Sequence, residues 1–252
     1  MLKNLYLINK KVGETPLEAL EVFRNKNKIA KDIPMTYAGR LDPMASGLLL
    51  VLVGEERKNK EKYLNLDKEY EFEVLFGFST DTYDILGKVI EIDSREISKE
   101  DLEKAIKKNL KNFKGKIVQK YPIYSSKTVN GKPLFTYARN EKDVEIPERE
   151  VNIKNLKFLN LKKVSSKRIL KDIESRIGKV QGDFRQKDIL KTWEKVLNIK
   201  DRPKYFFIAS FSIKCSSGTY VRSVSNALGE RIGISALAYN INRIKIGRYA
   251  KI

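Results

Sequence analysis

TYAGRLDPMASGLLLVLVGEERK, residues Thr36 to Lys58, places one carboxylate, Asp42, in a loop between Arg40 and Pro43. It then passes through Gly47 into the continuous apolar run Leu48–Val53. Such a run reads as a buried strand. Pro43 disfavours helix at Asp42, so the acid stands in an extended or turn segment at the lip of that strand. A carboxylate held on a loop by a rigid neighbour can serve as nucleophile or base. It can also be an Asx turn whose oxygen satisfies local amides.

The surroundings narrow what such an acid can do. The chain has 252 residues, 41% of them hydrophobic, which suits one domain with a substantial core. It contains no histidine and one cysteine, Cys215. Ser-His-Asp triads, His-based zinc sites and a disulfide framework are therefore excluded, and a reducing cytoplasm is the expected compartment. No apolar stretch is long enough to span a bilayer, and the N-terminus MLKNLYLINKKVG has no signal-peptide pattern. The net charge of +19 is spread along the chain. It points to a polyphosphate partner, with a merely lysine-solvated surface as the bland alternative.

Outward from the loop, LYLINK has strand character. Thr15-Pro16-Leu17-Glu18 is a capping box that starts a helix at Pro16. Tyr70, Phe72, Val74, Phe76 and Phe78 alternate with Glu69, Glu71 and Glu73, predicting a half-buried strand. Ser98 can cap a helix with Leu102, Ala105, Ile106 and Leu110 on one face. KYFFIASFSIKC is another strand, followed after SSGT by a helix from about Tyr220 to Arg231 that closes at Gly233. Strands and helices mix without a strict βαβ repeat, so the expected class is α+β around a mixed sheet. Between two strands, residues 162–204 form a basic segment. Ile169, Ile173 and Ile177 are spaced for one helix, and Ile189, Leu190, Trp193, Val196 and Leu197 for a second. It reads as an inserted helical hairpin, serving either as a clamp on RNA backbone or as a solvated excursion.

Further residues join Asp42 as candidates. Arg222 falls in the first turn of its helix, where a cation opposes the helix dipole and calls for an anion. Phosphate or Asp42 would serve, and pairing with Asp42 would favour the ionised acid and fix its orientation. Tyr70 is either the first rung of the core or a ring on which an extruded base stacks. GFSTDTYD, Gly77 to Asp84, offers two acids, too few for a convincing cation site, so a capped turn is expected. YPIYSSKTVNGKPLFTYAR, Tyr121 to Arg139, interleaves aromatic and basic side chains around an Asn130-Gly131 hairpin signal. Lys10 either touches phosphate or supports the Gly13 turn.

Taken together these stretches resemble the TruB family of pseudouridine synthases over nearly the whole chain. AGRLDPMASG is similar to the family's G-x-L-D-P-x-A-x-G motif, making Asp42 the nucleophile by resemblance. DKEYEFEV resembles the segment of the active-site tyrosine, here Tyr70, and CSSGTYVR the C-x-x-G-T-Y-[IV]-R motif, here with Arg222. LINKKVGETP, GFSTDTYDILGKV and Phe113 to Arg139 are similar to the opening, the turn-rich and the hairpin segments. Tyr37 stands where many members have histidine, Lys11 where proline is common, and Ser126 where alanine is usual.

The resemblance implies a pseudouridine synthase catalytic fold with a mixed, mainly antiparallel sheet flanked by helices over residues 1–252. The 162–204 hairpin would be an insertion, and no C-terminal PUA domain is expected. It implies isomerisation of the T-loop uridine of tRNA at position 55, without metal or other cofactor, by a monomer with no obligate protein partner. Lys10, Tyr37, Arg40, Lys127, Arg139, Lys167 and Arg168 are the expected RNA contacts. The rivals are a ribosomal-RNA pseudouridine synthase, which shares the GRLD core, and a non-catalytic tRNA chaperone.

Overall fold

The computed structural model describes residues 4–93, 95–198 and 204–250. The first half runs β1 (Leu5–Lys10), α1 (Pro16–Lys26), β2 (Met35–Ala38), β3 (Ala45–Val53), α2 (Lys60–Leu64), β4 (Lys68–Phe76), β5 (Phe78–Thr80), β6 (Val89–Ile92), α3 (Lys99–Leu110) and β7 (Gly115–Lys120). The second half runs β8 (Thr128–Val129), β9 (Lys132–Pro133), α4 (Leu134–Arg139), β10 (Glu148–Ser165), α5 (Ser166–Ile177), α6 (Gln186–Leu197), β11 (Tyr205–Cys215), α7 (Val221–Ile232), β12 (Ala236–Ile246) and β13 (Tyr249–Ala250). No helix among the described residues is long and apolar enough to cross a membrane.

The opening stretch is the hinge of the main sheet, whose order is β1-β3-β12-β4-β11-β10-β7, with β2 on β3 and β13 on β12. One edge of β3 pairs with β1 over residues 47–52. Its other edge is shared. Residues 45–47 pair in parallel with β12, and residues 50–53 pair antiparallel with β2. Being hydrogen-bonded on both sides and covered on both faces, β3 can be apolar at nearly every position, which is why its sequence does not alternate. Gly47 lies where β12 crosses, with φ +106°, and a Cβ there would sit 2.3 Å from the Arg243 carbonyl oxygen.

Helices cover both faces of the central strands. Phe72, Val74 and Phe76 of β4 and Phe211 and Ile213 of β11 pack under Leu102 and Ile106 of α3 and Val224 and Leu228 of α7. Leu75, Ile208 and Leu237, one residue out of phase, meet Ile169, Ile173, Ile189 and Trp193 on the opposite face. The alternating strand is thus half-buried only at first. There Glu73 pairs with Lys162 at 2.6 Å, and Glu69 with Lys214 at 3.3 Å. It becomes buried on both faces where α5 and α6 lie over it.

The basic segment is therefore no solvated excursion. Its boundary also moves: Lys162–Ser165 continue β10 and pair with Tyr205–Ile208 of β11, so the helical part begins at Ser166. Residues 199–203 at its far end lie outside the described residues. The capping box forms as read, with the Thr15 hydroxyl accepting from the Glu18 amide and Glu18 accepting from the Thr15 amide. Asn130 and Gly131, at φ +48° and +78°, make the expected tight turn, but the strands it joins are two residues each and α4 follows them.

Candidate active site

Asp42 stands at the floor of a cleft of about 860 Å³ lined by Tyr70, Thr82, Asp84, Arg222 and Arg243 among others. Its Oδ2 accepts from Arg222 Nε at 2.8 Å, across 180 positions of sequence. No local amide donates to this carboxylate among the described residues, so the Asx-turn reading does not hold. The carboxylate side chain is 34% exposed while Arg222 is 3% exposed. The acid faces the cleft and the arginine is sealed beneath it.

Several elements converge on Arg222. Its NH1 donates to Thr82 O at 2.6 Å and its NH2 to Tyr124 O at 3.2 Å, with Asp84 Oδ2 3.7 Å from Nε. Burial works against the cation, but the Asp42 and Asp84 carboxylates outweigh it and hold the guanidinium above its ordinary pKa. Asp84 is itself buried, which pushes its carboxyl upward against the pull of Arg222. The helix start that presents Arg222 lacks a side-chain cap. It is anchored instead by Gln119 of β7, whose amide accepts from Tyr220 N at 2.8 Å and donates to Tyr220 O at 3.1 Å. The TDTYD stretch is the expected turn: Asp84 Oδ1 accepts from the Thr82 hydroxyl at 2.7 Å and from the Leu86 amide at 2.9 Å.

The loop bearing Asp42 is held from below. Lys10, expected to contact RNA, is fully buried and cannot do so in this conformation. Its ammonium donates to Lys11 O at 2.9 Å and Glu14 O at 2.6 Å, knitting the turn whose Gly13 amide donates to Pro43 O at 2.8 Å. Burial lowers its pKa to about 8. Arg243 of β12 sends Nε to Leu48 O at 2.7 Å and NH2 to Gly39 O at 2.9 Å. Leu48 lies where the edge of β3 passes from β12 to β2, so the guanidinium fills the gap between two ladders and ties down the loop that leaves β2. Lys68, at the start of β4, donates to Leu64 O and Leu66 O, and burial followed by the nearby Arg243 lowers its pKa to about 8. Tyr70 is 8% exposed yet lines the cleft; burial raises its pKa, with Arg243 opposing.

The other expected RNA contacts separate into groups. Tyr37, Arg40 and Arg139 line the cleft. Arg40 NH2 donates to the Tyr37 hydroxyl at 3.3 Å, and Arg139 lies 5.8 Å from the Phe135 ring centroid. Lys127 sits over the ring of Tyr121, a cleft residue, at 5.4 Å. Lys167 and Arg168 are on the exposed face of α5 and do not line the cleft.

Arg243, Lys68 and Arg185 were not singled out from the sequence, and Asp84 was noted only as one of two acids in an expected turn. Arg243 carried no signal that could have found it: in Ile241-Asn-Arg-Ile-Lys-Ile246 it alternates with Ile244 and Ile246 as an outward polar residue would, and a register shift between Arg243 and Lys245 accompanies its burial.

The fold matches that of solved structures. The crystal structure of a Cbf5-Nop10-Gar1 complex aligns over 98% of this chain and 50% of that one, with a TM-score of 0.57 at 16% identity. A family model described as TruB family pseudouridylate synthase, N-terminal domain, matches residues 26–178. The chain belongs to the TruB family. It is 33% identical to tRNA pseudouridine synthase B of Lactobacillus acidophilus over 97% of this chain and 68% of that protein. It is 31% identical to the protein of the same name from Clostridioides difficile over 93% and 64%. The chain spans about two thirds of the length of these curated relatives.

Proposed function

We propose that the protein converts the T-loop uridine of tRNA at position 55 to pseudouridine, with Asp42 as the reagent. The observation that carries this reading is the Asp42–Arg222 pair, with the acid open to a cleft and the arginine buried behind it at 2.8 Å. The names of the curated relatives support tRNA as the substrate.

A uridine inside a folded loop has to be extruded before its glycosidic bond can be reached. The rim residues Tyr37, Arg40 and Arg139 offer cation and ring surface to the RNA around it. Asp42 initiates cleavage of the bond between N1 and the ribose C1′. Arg222 keeps the carboxylate aimed at that bond and balances its charge from the buried side of the pair. The freed uracil, stacked against Tyr70, turns within the cleft and bonds to C1′ through C5. The C5 proton then leaves and N1 takes one up, so the base is isomerised with no net gain or loss of atoms. Trapping is essential, because a free base would diffuse away.

The test is tritium release from C5-labelled uridine in unmodified tRNA, with Asp42→Asn as the comparison. The variant should bind tRNA and release no tritium. Release undiminished in Asp42→Asn would reject the assignment, and a wild-type protein that binds tRNA without release would reject the activity.

A further inference from the structure

The connection between α5 and α6 enters the catalytic cleft, where Phe184 and Arg185 form part of its wall. It is built with unusual care for a surface turn. Gln186 accepts from the Phe184 amide at 2.9 Å and donates to Val180 O at 3.1 Å and Gly182 O at 2.7 Å. Arg185, at the N-cap of α6, adopts the left-handed conformation at φ 63° and supplies no side-chain cap. A capping residue such as Ser or Asp in extended conformation would serve the helix better, and a long side chain held left-handed is a strained choice. Local preference is overridden in favour of where the guanidinium points.

The guanidinium sits over the ring of a cleft residue. Its carbon is 4.2 Å from the centroid of the Tyr124 ring, while NH1 and NH2 bind the two oxygens of Asp81 at 2.6 and 3.4 Å. Asp81 compensates the charge, so Arg185 is not poised as a phosphate ligand. What the pair adds to the cleft lining is polarisable surface: Arg185 over Tyr124, with Phe184 in the same wall. Arg139 NH2 donates to Asp183 O at 2.6 Å, fastening the connection to the segment that carries Tyr124. The wall is preorganised on both sides.

We propose that Phe184 and the Arg185–Tyr124 stack form a stacking subsite for an RNA base adjacent to the extruded uridine. The helix pair would then contribute to substrate selection through its connection, by base stacking, and not only through the basic outer face of α5. This rests on the proposed RNA-modifying function.

The experiment measures dissociation constants for a T-arm stem-loop RNA, with each nucleotide flanking the target made abasic in turn. The proteins are wild type, Phe184→Ala and Arg185→Gly, the glycine accepting the left-handed backbone. Thermal melts establish that each variant is folded. Each variant should bind the intact RNA about tenfold more weakly, in the range that loss of one stacked base produces. For one flanking position, the abasic RNA should show no further loss in the variants. Wild-type affinity in both variants, or losses that multiply at both flanking positions, would overturn the subsite. Pseudouridine formation is followed in parallel with wild type. If wild type binds without forming it, the activity fails while the binding cycle still reports on the subsite.

Discussion

Arg243 has no carboxylate partner among the described residues, yet it is 1% exposed. Its charge is spread over the backbone carbonyls at the two ends of the Asp42 loop. Arg243→Met keeps much of the apolar stem but leaves those carbonyls buried and unpaired. The loop should shift, and a displacement of about 1 Å at a reacting group can lower turnover about 100-fold. Single-turnover kinetics should show that fall, with a smaller change in KM, and Arg243→Lys should restore only part of it because one ammonium cannot span the same fork.

Lys10 and Lys68 give a second residue-scale expectation. Both are held near pKa 8 when folded, below the ordinary lysine value of 10.5, because burial disfavours the ammonium. Between those values the unfolded chain binds more protons than the folded one, so stability from these groups rises with pH from about 8 to about 10.5. Each contributes at most about 1.4 kcal/mol per pH unit. Urea unfolding across that window should show a shallower rise for Lys68→Met than for wild type, and an equal slope would refute the burial effect.

At the scale of elements, α5 and α6 are part of the core. Trp193 is fully buried against Phe78, at 5.3 Å between ring centroids, and its indole donates to Ile85 O at 3.1 Å. Trp193→Ala should therefore destabilise the protein by about 3–5 kcal/mol, the range for deleting a buried aromatic ring. Denaturant titration would check it; a loss below about 1 kcal/mol would mean the helix pair is the excursion that its composition allowed. The apolar spacing at Ile169, Ile173 and Ile177 made both helices legible. Which surface they cover was not legible, because amphipathicity names a buried face without naming its partner. The same ambiguity placed Lys162 in the insertion: a basic strand tail and a basic helix start look alike until β10 and β11 are in register.

For the whole molecule, the net charge of +19 belongs to the folded body and should govern how RNA is held. Binding of tRNA by Asp42→Asn should weaken steeply with salt, with log affinity against log salt sloping at about −3 or steeper if four or more phosphates are engaged. Fluorescence anisotropy between low and physiological salt measures this. A flat dependence would mean that the basic surface only solvates the protein.

By itself, the sequence determined what acts over short range. A proline places Asp42 at the lip of a strand, a capping box starts α1, and alternation marks β4. The motifs around Asp42, Tyr70 and Arg222 were sufficient for the family resemblance. Only the tertiary structure decided that Arg222 turns to Asp42 rather than to phosphate, that Asp84 joins them, that Lys10 is buried beneath the loop, and that Arg185 reaches the cleft. Burial and pairing between residues 100 to 200 positions apart depend on which strands become neighbours and in what register. Propensity and periodicity describe single elements, and those neighbours are chosen by the packing of the whole sheet.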